Sequence, residues 1–206
     1  MTTYKLTYFN LNAVAEPVRW LFKTAKVDFI DERIENEDWP DMKKSGRFPL
    51  AQVPLLEFNG KVYNQSGAII KYLAKRYGFI TGNDVLNLRV DQVHDIINDG
   101  LTEFRVWVRE HDEEKKTEQK HHLIDSVFPM LMKQLEEIVS ASGGPYVAGS
   151  KLTYADFVLA NWFQIFNAVI DETLQENYPA LEEHMERVLN IPEIKTHVKN
   201  RPKVLF

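Results

Sequence analysis

The stretch of residues 51–78 constrains the fold more than any other part of the chain. Pro54 stands near its start, and a proline is tolerated at the first position of a strand but not in the middle of one. The run after it ends at Asn59 and Gly60, which both accept the positive φ angles of a tight hairpin turn. The sequence therefore predicts two short antiparallel strands, the second at residues 61–63.

Gln65, Ser66 and Gly67 follow the hairpin and open an amphipathic helix. The first turn of a helix has N–H groups without partners, and its dipole favours negative charge. With the Ser66 hydroxyl and the Gln65 amide beside them, these groups form a candidate carboxylate-binding corner. The alternative is that Ser66 serves only as a helix cap, which is the commoner role for such a serine.

The first part of the chain alternates strands with helices. We expect strands at residues 5–9 and 29–34, a helix at 16–26 with Pro17 in its first turn, and a turn or short helix at 38–44. Together with the hairpin and its helix, this order is similar to a thioredoxin-like α/β domain over residues 1–80. Thioredoxins act through a pair of cysteines. This chain has no cysteine, so its activity must come from another group.

The rest of the chain has helical patterns throughout, which predicts an all-α domain over residues 84–206. Long helices are expected at 84–111 and at 122–140, the second one bent by Pro129. The charged run at 110–120 is interpreted as a solvated helix end or loop. Thr153 and Asp156 have the spacing of a capping box, so we assign them a structural role.

Composition argues against several classes of function. The net charge of −5 disfavours nucleic-acid binding, which needs a basic surface. None of the six histidines has the spacing of a metal motif, so no metal is expected. The first ten residues lack a secretory signal, and the most apolar stretch, residues 157–170, is too short and too polar to span a bilayer. We expect a soluble, cytoplasmic protein that does not bind membranes.

Several of these segments together resemble the glutathione S-transferase family over essentially the whole chain. The segments are Val53-Pro54 with its hairpin, Gln65-Ser66, residues 4–9, residues 15–19, and residues 38–40 followed by Lys43. They are most similar to the sigma class, especially nematode-type enzymes and glutathione-dependent prostaglandin D synthases. The resemblance implies a homodimeric transferase of detoxification type. Its co-substrate would be glutathione, no metal would be required, and the other substrates would be small hydrophobic electrophiles.

The resemblance implies that Tyr8 is the catalytic residue. A thiol is a poor nucleophile and a thiolate a good one. A phenol that donates a hydrogen bond to the glutathione sulfur stabilises the anion and lowers the pKa of the thiol. The position alone would instead suggest a packed aromatic at the end of a strand, because tyrosines are common in strands.

The remaining glutathione contacts also come from the resemblance. Lys43 and Trp39 would hold the glycine carboxylate, the Val53 backbone would pair with the cysteinyl amide, and Pro54 matches the family's cis-proline. Asp99 would reach across a dimer interface to the γ-glutamyl ammonium. The full implied set is Tyr8, Trp39, Lys43, Gln52, Val53, Pro54, Gln65, Ser66 and Asp99.

Two features depart from the family pattern. Relatives usually carry Arg-Gly-Arg where this chain has Asn12-Ala13-Val14, so the usual cation near the thiolate is replaced by Val14. The loop before Gln52, around residues 47–50, is longer than the usual spacing. Both features favour the alternative function, a non-catalytic carrier of haem or lipid, or a structural relative of the transferases.

The electrophile is expected to bind between the two domains. Matched positions suggest a pocket of mostly apolar side chains, in which Val14 would enlarge the space beside Phe9. The expected lining consists of Phe9, Val14, Leu101, Arg105 and Phe206.

Overall fold

The computed structural model describes residues 2–204, and these divide into two compact units. The first unit consists of the residues up to Gly78 together with those from Asn190 onward, and the second consists of residues 79–189. Elements of the first unit alternate as predicted up to the hairpin helix. They are β1 (Tyr4–Phe9), α1 (Glu16–Thr24), β2 (Phe29–Ile34), α2 (Trp39–Lys44), a 3₁₀ turn (Pro49–Ala51), β3 (Leu55–Phe58), β4 (Lys61–Tyr63) and α3 (Ser66–Tyr77).

The four strands form one mixed sheet in the order β2-β1-β3-β4. β1 is parallel to β2 and antiparallel to β3, and β4 is antiparallel to β3. The hairpin turns at Asn59 and Gly60, whose φ angles are 51° and 71°. Both angles are positive, as the two-residue turn requires, so the predicted hairpin is confirmed.

Alternate residues of β1 face opposite sides of the sheet. Tyr4 is fully buried, and its ring lies 5.2 Å from that of Phe22 on α1. Its hydroxyl group lies 3.0 Å from that of Tyr77 on α3. Every second residue of β1, counted from Tyr4, therefore faces the side of the sheet that α1 and α3 cover.

The opposite face of the sheet is covered by α2 and the segment after it. The buried side chains of Ile34, Phe48 and Leu55 form the core of this layer. Trp39 and Val53 pack against them and are only half-buried. Burial of this cluster holds the chain between α2 and β3 against the sheet.

The last helix of the described chain, α10 (Pro192–Asn200), packs against α1 in the first unit. The fully buried Glu16 accepts hydrogen bonds from His197 at 2.8 Å and from Arg201 at 2.6 Å. The sequence predicts a helical domain over residues 84–206. In the structure, the described residues from Asn190 onward lie with the first unit instead, because these polar contacts join α10 to α1.

The second unit is all helical, and this confirms the predicted fold class of an α/β domain followed by helices. α7 is buried on nearly all sides and contacts both α4 and α9. Asn83 caps the long α4, since its side chain accepts hydrogen bonds from the first-turn N–H groups. The helices are α4 (Asp84–Arg109), α5 (Glu113–His122), α6 (Phe128–Ser140), α7 (Tyr154–Val169), α8 (Leu174–Asn177) and α9 (Pro179–Leu189).

The predicted helix at residues 122–140 is interrupted by a wider turn. Leu123–Val127 is π-helical, and α6 begins immediately after it with Pro129 as its second residue. A proline has no N–H to donate, and its ring displaces the carbonyl group four residues earlier. The charged run before it forms α5, which has no buried residue, so the prediction that the run is solvated is confirmed. The sequence predicts a helix end or loop for this run, but most of it forms a helix of its own.

The capping box at the start of α7 is confirmed, and it is part of a larger buried network. The carboxylate of Asp156 accepts a hydrogen bond from the N–H of Thr153 at 2.7 Å and from that of Val147 at 2.8 Å. Nε2 of His184 on α9 lies 2.8 Å from the same carboxylate. Asp156 therefore joins α7 to the preceding loop and to α9, which is the structural role predicted for it.

Candidate functional site

Tyr8 lies near the end of β1, and its side chain is 8% exposed. Its ring centroid is 5.6 Å from that of Phe9. β1 pairs antiparallel with β3 so that Thr7 is opposite Leu55. Continuing this register by one residue places Tyr8 beside Pro54.

The register of the hairpin brings the start of α3 to the end of the sheet where Tyr8 and Pro54 lie, here called the sheet edge. Leu56 on β3 is opposite Tyr63 on β4. Because the strands are antiparallel, the residues after Tyr63 run toward those before Leu56, and the chain reaches Gln65 at the edge where Pro54 lies. Segments far apart in the sequence thus meet where β1 ends and β3 begins.

The segment of Gln52, Val53 and Pro54, here called the cis-proline edge, lies just before β3 and is not part of it. Gln52 is exposed and extended, with φ −139° and ψ 156°. The Val53–Pro54 peptide bond is cis, as at the family position that Pro54 matches. Pro54 is buried and Val53 is half-buried, so the packing of these side chains holds the extended backbone of this segment in place.

Gln65 has an unusual backbone conformation, with φ 70° and ψ 104°. Such angles cost a non-glycine residue roughly 1–3 kcal/mol and are found most often at functional sites. Gln65 occupies the N-cap position of α3, and its side chain makes no capping hydrogen bond. Ser66 is the first residue inside the helix, so the alternative in which Ser66 is the helix cap is wrong.

Trp39 and Lys43 lie on α2, which follows β2. The Trp39 ring is 5.2 Å from that of Phe9 and 5.1 Å from that of Phe48, in edge-to-face contacts with both. These contacts fix the half-buried indole next to the end of β1. Lys43 is exposed one turn later, near the end of the helix.

Val14 lies in the connection between β1 and α1, and it is half-buried between two buried alanines. Arg19 on α1 donates a hydrogen bond to the carbonyl oxygen of Leu11 at 2.7 Å, which anchors this connection. Arg19 also pairs with Glu16 at 3.0 Å and with Asp31 at 2.9 Å. The chain next to Tyr8 is therefore held by a buried ion-pair network.

Glu16 stays ionised at the centre of that network. Burial raises the pKa of its carboxyl group. The hydrogen bond from His197 and the charges of Arg19, His197 and Arg201 outweigh burial and bring the pKa to about 2. The carboxylate also accepts a hydrogen bond from the Trp20 indole at 3.0 Å. Nothing in the local sequence indicated these partners, because His197 and Arg201 lie at the other end of the chain.

Arg47 is a second residue that sequence reasoning missed. Its guanidinium group bonds Thr7 at 3.0 Å and Glu57 at 2.7 Å, and it contacts Glu32 through both terminal nitrogens. Burial raises the pKa of Glu32, but hydrogen bonds from Arg47, Thr7 and Lys5 outweigh burial and bring the pKa to about 2. Hydrogen bonds to Glu32 and Glu57 raise the pKa of Arg47, so Arg47 and Glu32 form a charged pair at neutral pH.

The other predicted contact residues belong to the helical unit. Asp99 and Arg105 are exposed on α4, whereas Leu101 is 2% exposed. Phe206, the fifth residue of the predicted electrophile pocket, lies outside the described residues. The composition of that pocket stays a prediction.

Residues 2–204 contain no group of three or more histidine, aspartate or glutamate side chains placed to hold a metal ion. Within the same residues, no helix is long and apolar enough to cross a membrane.

Family models match both units of the chain. The model described as "Glutathione S-transferase, N-terminal domain" matches residues 4–75, and that described as "Glutathione S-transferase, C-terminal domain" matches residues 98–201. The first model includes Tyr8, the cis-proline edge and the start of α3. The second includes Asp99.

Curated relatives match the chain over nearly its full length. A glutathione S-transferase of Anopheles gambiae is 34% identical and covers 98% of both chains. Glutathione S-transferase 3 of Caenorhabditis elegans is 35% identical over 100% of both. Among solved structures, the prostaglandin synthase D of Nilaparvata lugens superposes with a TM-score of 0.90 at 33% identity, covering 98% of this chain and 100% of that one.

These matches agree with the geometry of the first unit. Of the residues that the resemblance assigned to glutathione, the strand register brings Tyr8, Pro54 and Gln65 together, and the family models extend over both units. The prediction of a glutathione transferase is confirmed at the level of the family and its activity. The chain belongs to the glutathione S-transferase family.

Proposed function

We propose that the protein joins the thiolate of glutathione to hydrophobic electrophiles, and that Tyr8 is the group that activates the thiol. The observation that carries this proposal is the strand register, which brings Tyr8, the cis-proline edge and the start of α3 together. A tripeptide bound along that edge would place its central cysteine beside the phenol. The Tyr8 hydroxyl would then donate a hydrogen bond to the sulfur and favour its anionic form.

The two ends of glutathione carry carboxylates, and the proposed site has a different partner for each. The N–H groups at the start of α3, with Ser66 and Gln65, suit the γ-glutamyl carboxylate. Lys43 and the Trp39 indole suit the glycine carboxylate. The extended backbone at Val53 suits the amide groups of the central cysteine, as one strand pairs with another.

Asp99 is proposed to complete the site from a second copy of the chain. It is exposed on α4, where a carboxylate can meet the γ-glutamyl ammonium of glutathione bound to the partner. The proposal extends to the whole protein: we propose a homodimer of the sigma class that acts in the cytoplasm in detoxification. In that form, Phe9 and Val14 border the electrophile, and Leu101, Arg105 and Phe206 complete the pocket.

The replacement of a cation by Val14 has a consequence for the chemistry. Without a positive charge there, the thiolate depends more on the Tyr8 hydrogen bond, and we expect slower conjugation than a site with both groups would give. If conjugation were slowed to nothing, the protein would have the competing function, that of a carrier that binds glutathione or an apolar ligand without turnover.

Calorimetry of the purified protein with glutathione, together with a chlorodinitrobenzene conjugation assay, tests the proposal. Binding with turnover is the expected result. Binding without turnover would favour the carrier, and no association at millimolar glutathione would reject the proposed function altogether. Because a solved relative is named prostaglandin synthase D, prostaglandin synthesis is a further activity to assay separately.

A further inference from the structure

The segment of residues 45–51, here called the strap, connects α2 to the edge at Gln52 and Val53. The two parts that it joins hold the residues proposed to bind the glycine half of glutathione. Whatever fixes the strap therefore fixes the distance between Lys43 and the cis-proline edge.

Arg47 attaches the strap to three adjacent strands. Its acceptors are Thr7 on β1, Glu32 on β2 and Glu57 on β3. In the sheet, Thr7 is opposite Glu32. One guanidinium group thus spans the centre of the sheet on the face that α2 covers, and its fixed fork of donors is suited to holding several oxygen atoms at once.

Phe48 supplies an apolar attachment next to the polar one. Its side chain is 5% exposed and packs with Ile34 and Leu55, and its ring makes an edge-to-face contact with Trp39. The carbon of the Arg47 guanidinium lies 5.2 Å from the centroid of the same ring. The two residues form one anchoring unit.

The end of the strap has an unfavourable backbone, held locally by the hydrogen bond from the Ala51 N–H to the Phe48 carbonyl oxygen at 2.9 Å. Leu50 is 70% exposed, and Leu50 and Ala51 both have left-handed backbones, with φ angles of 59° and 49°. Neither residue is a glycine, so neither favours this conformation. The anchors at Arg47 and Phe48 must therefore hold the turn that leads into Gln52.

We propose that Arg47 is a positioning residue for glutathione: it holds the strap on the sheet, so that α2 and the cis-proline edge stand at the spacing the tripeptide requires. This inference rests on the proposed function. It gives the longer loop at residues 47–50 a role in positioning the glutathione site, so the length of the loop does not require the carrier function. Arg47 itself does not touch the reacting sulfur.

The location of the anchor predicts which kinetic constant will change. Thr7 precedes Tyr8 but faces the opposite side of the sheet, since neighbouring residues of a strand alternate. Loss of the anchor should therefore weaken glutathione binding and leave the activation of the bound thiol nearly intact. A general loss of stability would instead reduce the active fraction, and with it the apparent turnover, while the affinity of the folded protein stayed the same.

The test compares Arg47→Gln, Arg47→Lys and a control, Lys44→Gln, with the unmodified protein. Lys44 lies just before the strap, is exposed, and among the described residues pairs only with Asp41, which is also exposed. Its substitution therefore removes one nearby positive charge without releasing the strap. The measurements are the affinity for glutathione by calorimetry, the KM for glutathione and kcat. We expect Arg47→Gln to weaken affinity and raise KM about tenfold, with kcat within about twofold of the unmodified enzyme.

Arg47→Lys should fall between these values, because an ammonium group can replace some of the contacts but not the fork. It also keeps the test decisive if Arg47→Gln does not fold. The inference is overturned if the unmodified protein binds glutathione and the folded Arg47 variants bind it equally well, or if Lys44→Gln weakens binding as much. Failure of the unmodified protein to bind glutathione would reject the proposed function instead.

Discussion

The carboxylate of Glu16 lies 2.8 Å from Nε2 of His197, although 181 residues separate them in the sequence. Both residues belong to the first unit, and the Glu16 side chain is fully buried. Arg201 adds a second contact one turn further along the chain, at 2.6 Å. The last helix is therefore attached to α1 through one buried acid.

Glu16→Gln should destabilise the protein by roughly 3 kcal/mol, because it removes one member of a buried charged group and leaves cations without their partner. The free energy of unfolding in urea measures the effect. Glu118→Gln, at an exposed position of α5, is the matched control and should change it by less than about 0.5 kcal/mol. A loss below about 1 kcal/mol in Glu16→Gln would show that the network adds little.

Acid should destabilise the fold in a defined range of pH. The pKa values of Glu16 and Glu32 are both lowered to about 2. A carboxyl group with a lowered pKa stabilises the folded state above its ordinary value near 4.3, and this contribution is lost as the pH falls toward 2. Urea unfolding between pH 6 and pH 2.5 should show the decline beginning below about pH 4.5. In Glu16→Gln the decline should be shallower, and an unchanged slope would argue against the assignment.

Tyr8→Phe should reduce kcat for conjugation roughly 10- to 100-fold, the value of one hydrogen bond to a charged group. Affinity for glutathione should change little, because the carboxylate and backbone contacts remain. Tyr178→Phe, in the second unit, removes a hydroxyl group of the same kind at a residue with no proposed role, and serves as control. If Tyr8→Phe turned over as fast as the unmodified enzyme, another group would have to activate the thiol.

Asp99→Ala should raise the KM for glutathione about fivefold, as expected for a charge pair of about 1 kcal/mol. Mixing this variant with Tyr8→Phe, after dissociation and reassociation, tests whether Asp99 acts across subunits. A mixed dimer would then contain one intact site, formed by Tyr8 of one copy and Asp99 of the other, and the KM of that site for glutathione would return to the unmodified value. No recovery in demonstrated mixed dimers would place Asp99 in the site of its own subunit or outside it.

Val14→Arg should strengthen thiol activation, because a cation within about 4–6 Å lowers the pKa of an acid by one unit or more. We expect the pKa of bound glutathione, followed by the ultraviolet absorbance of its thiolate, to fall by about one unit. Val14→Leu keeps the side chain apolar and is the control for size. An unchanged pKa in Val14→Arg would mean that position 14 does not face the sulfur.

Local sequence determined much of the secondary structure. Asn59 and Gly60 set the hairpin because their own backbones accept positive φ, and Thr153 with Asp156 started α7 because their polar atoms meet within one helical turn. The site residues of the first unit could be named through the family resemblance, since they sit in short segments of recognisable order. These features depend on residues close together in the chain.

The tertiary structure alone decided which distant groups meet. The partners of Arg47 lie on three strands, and only the register of the sheet brings them within reach of one guanidinium group. Attachment of α10 to the first unit depends in the same way on Glu16 and His197. No local pattern encodes such contacts, because they exist only after strands and helices have packed. The sequence by itself determined the elements and the chemical groups available, whereas packing decided how the groups around the sheet edge are held in place.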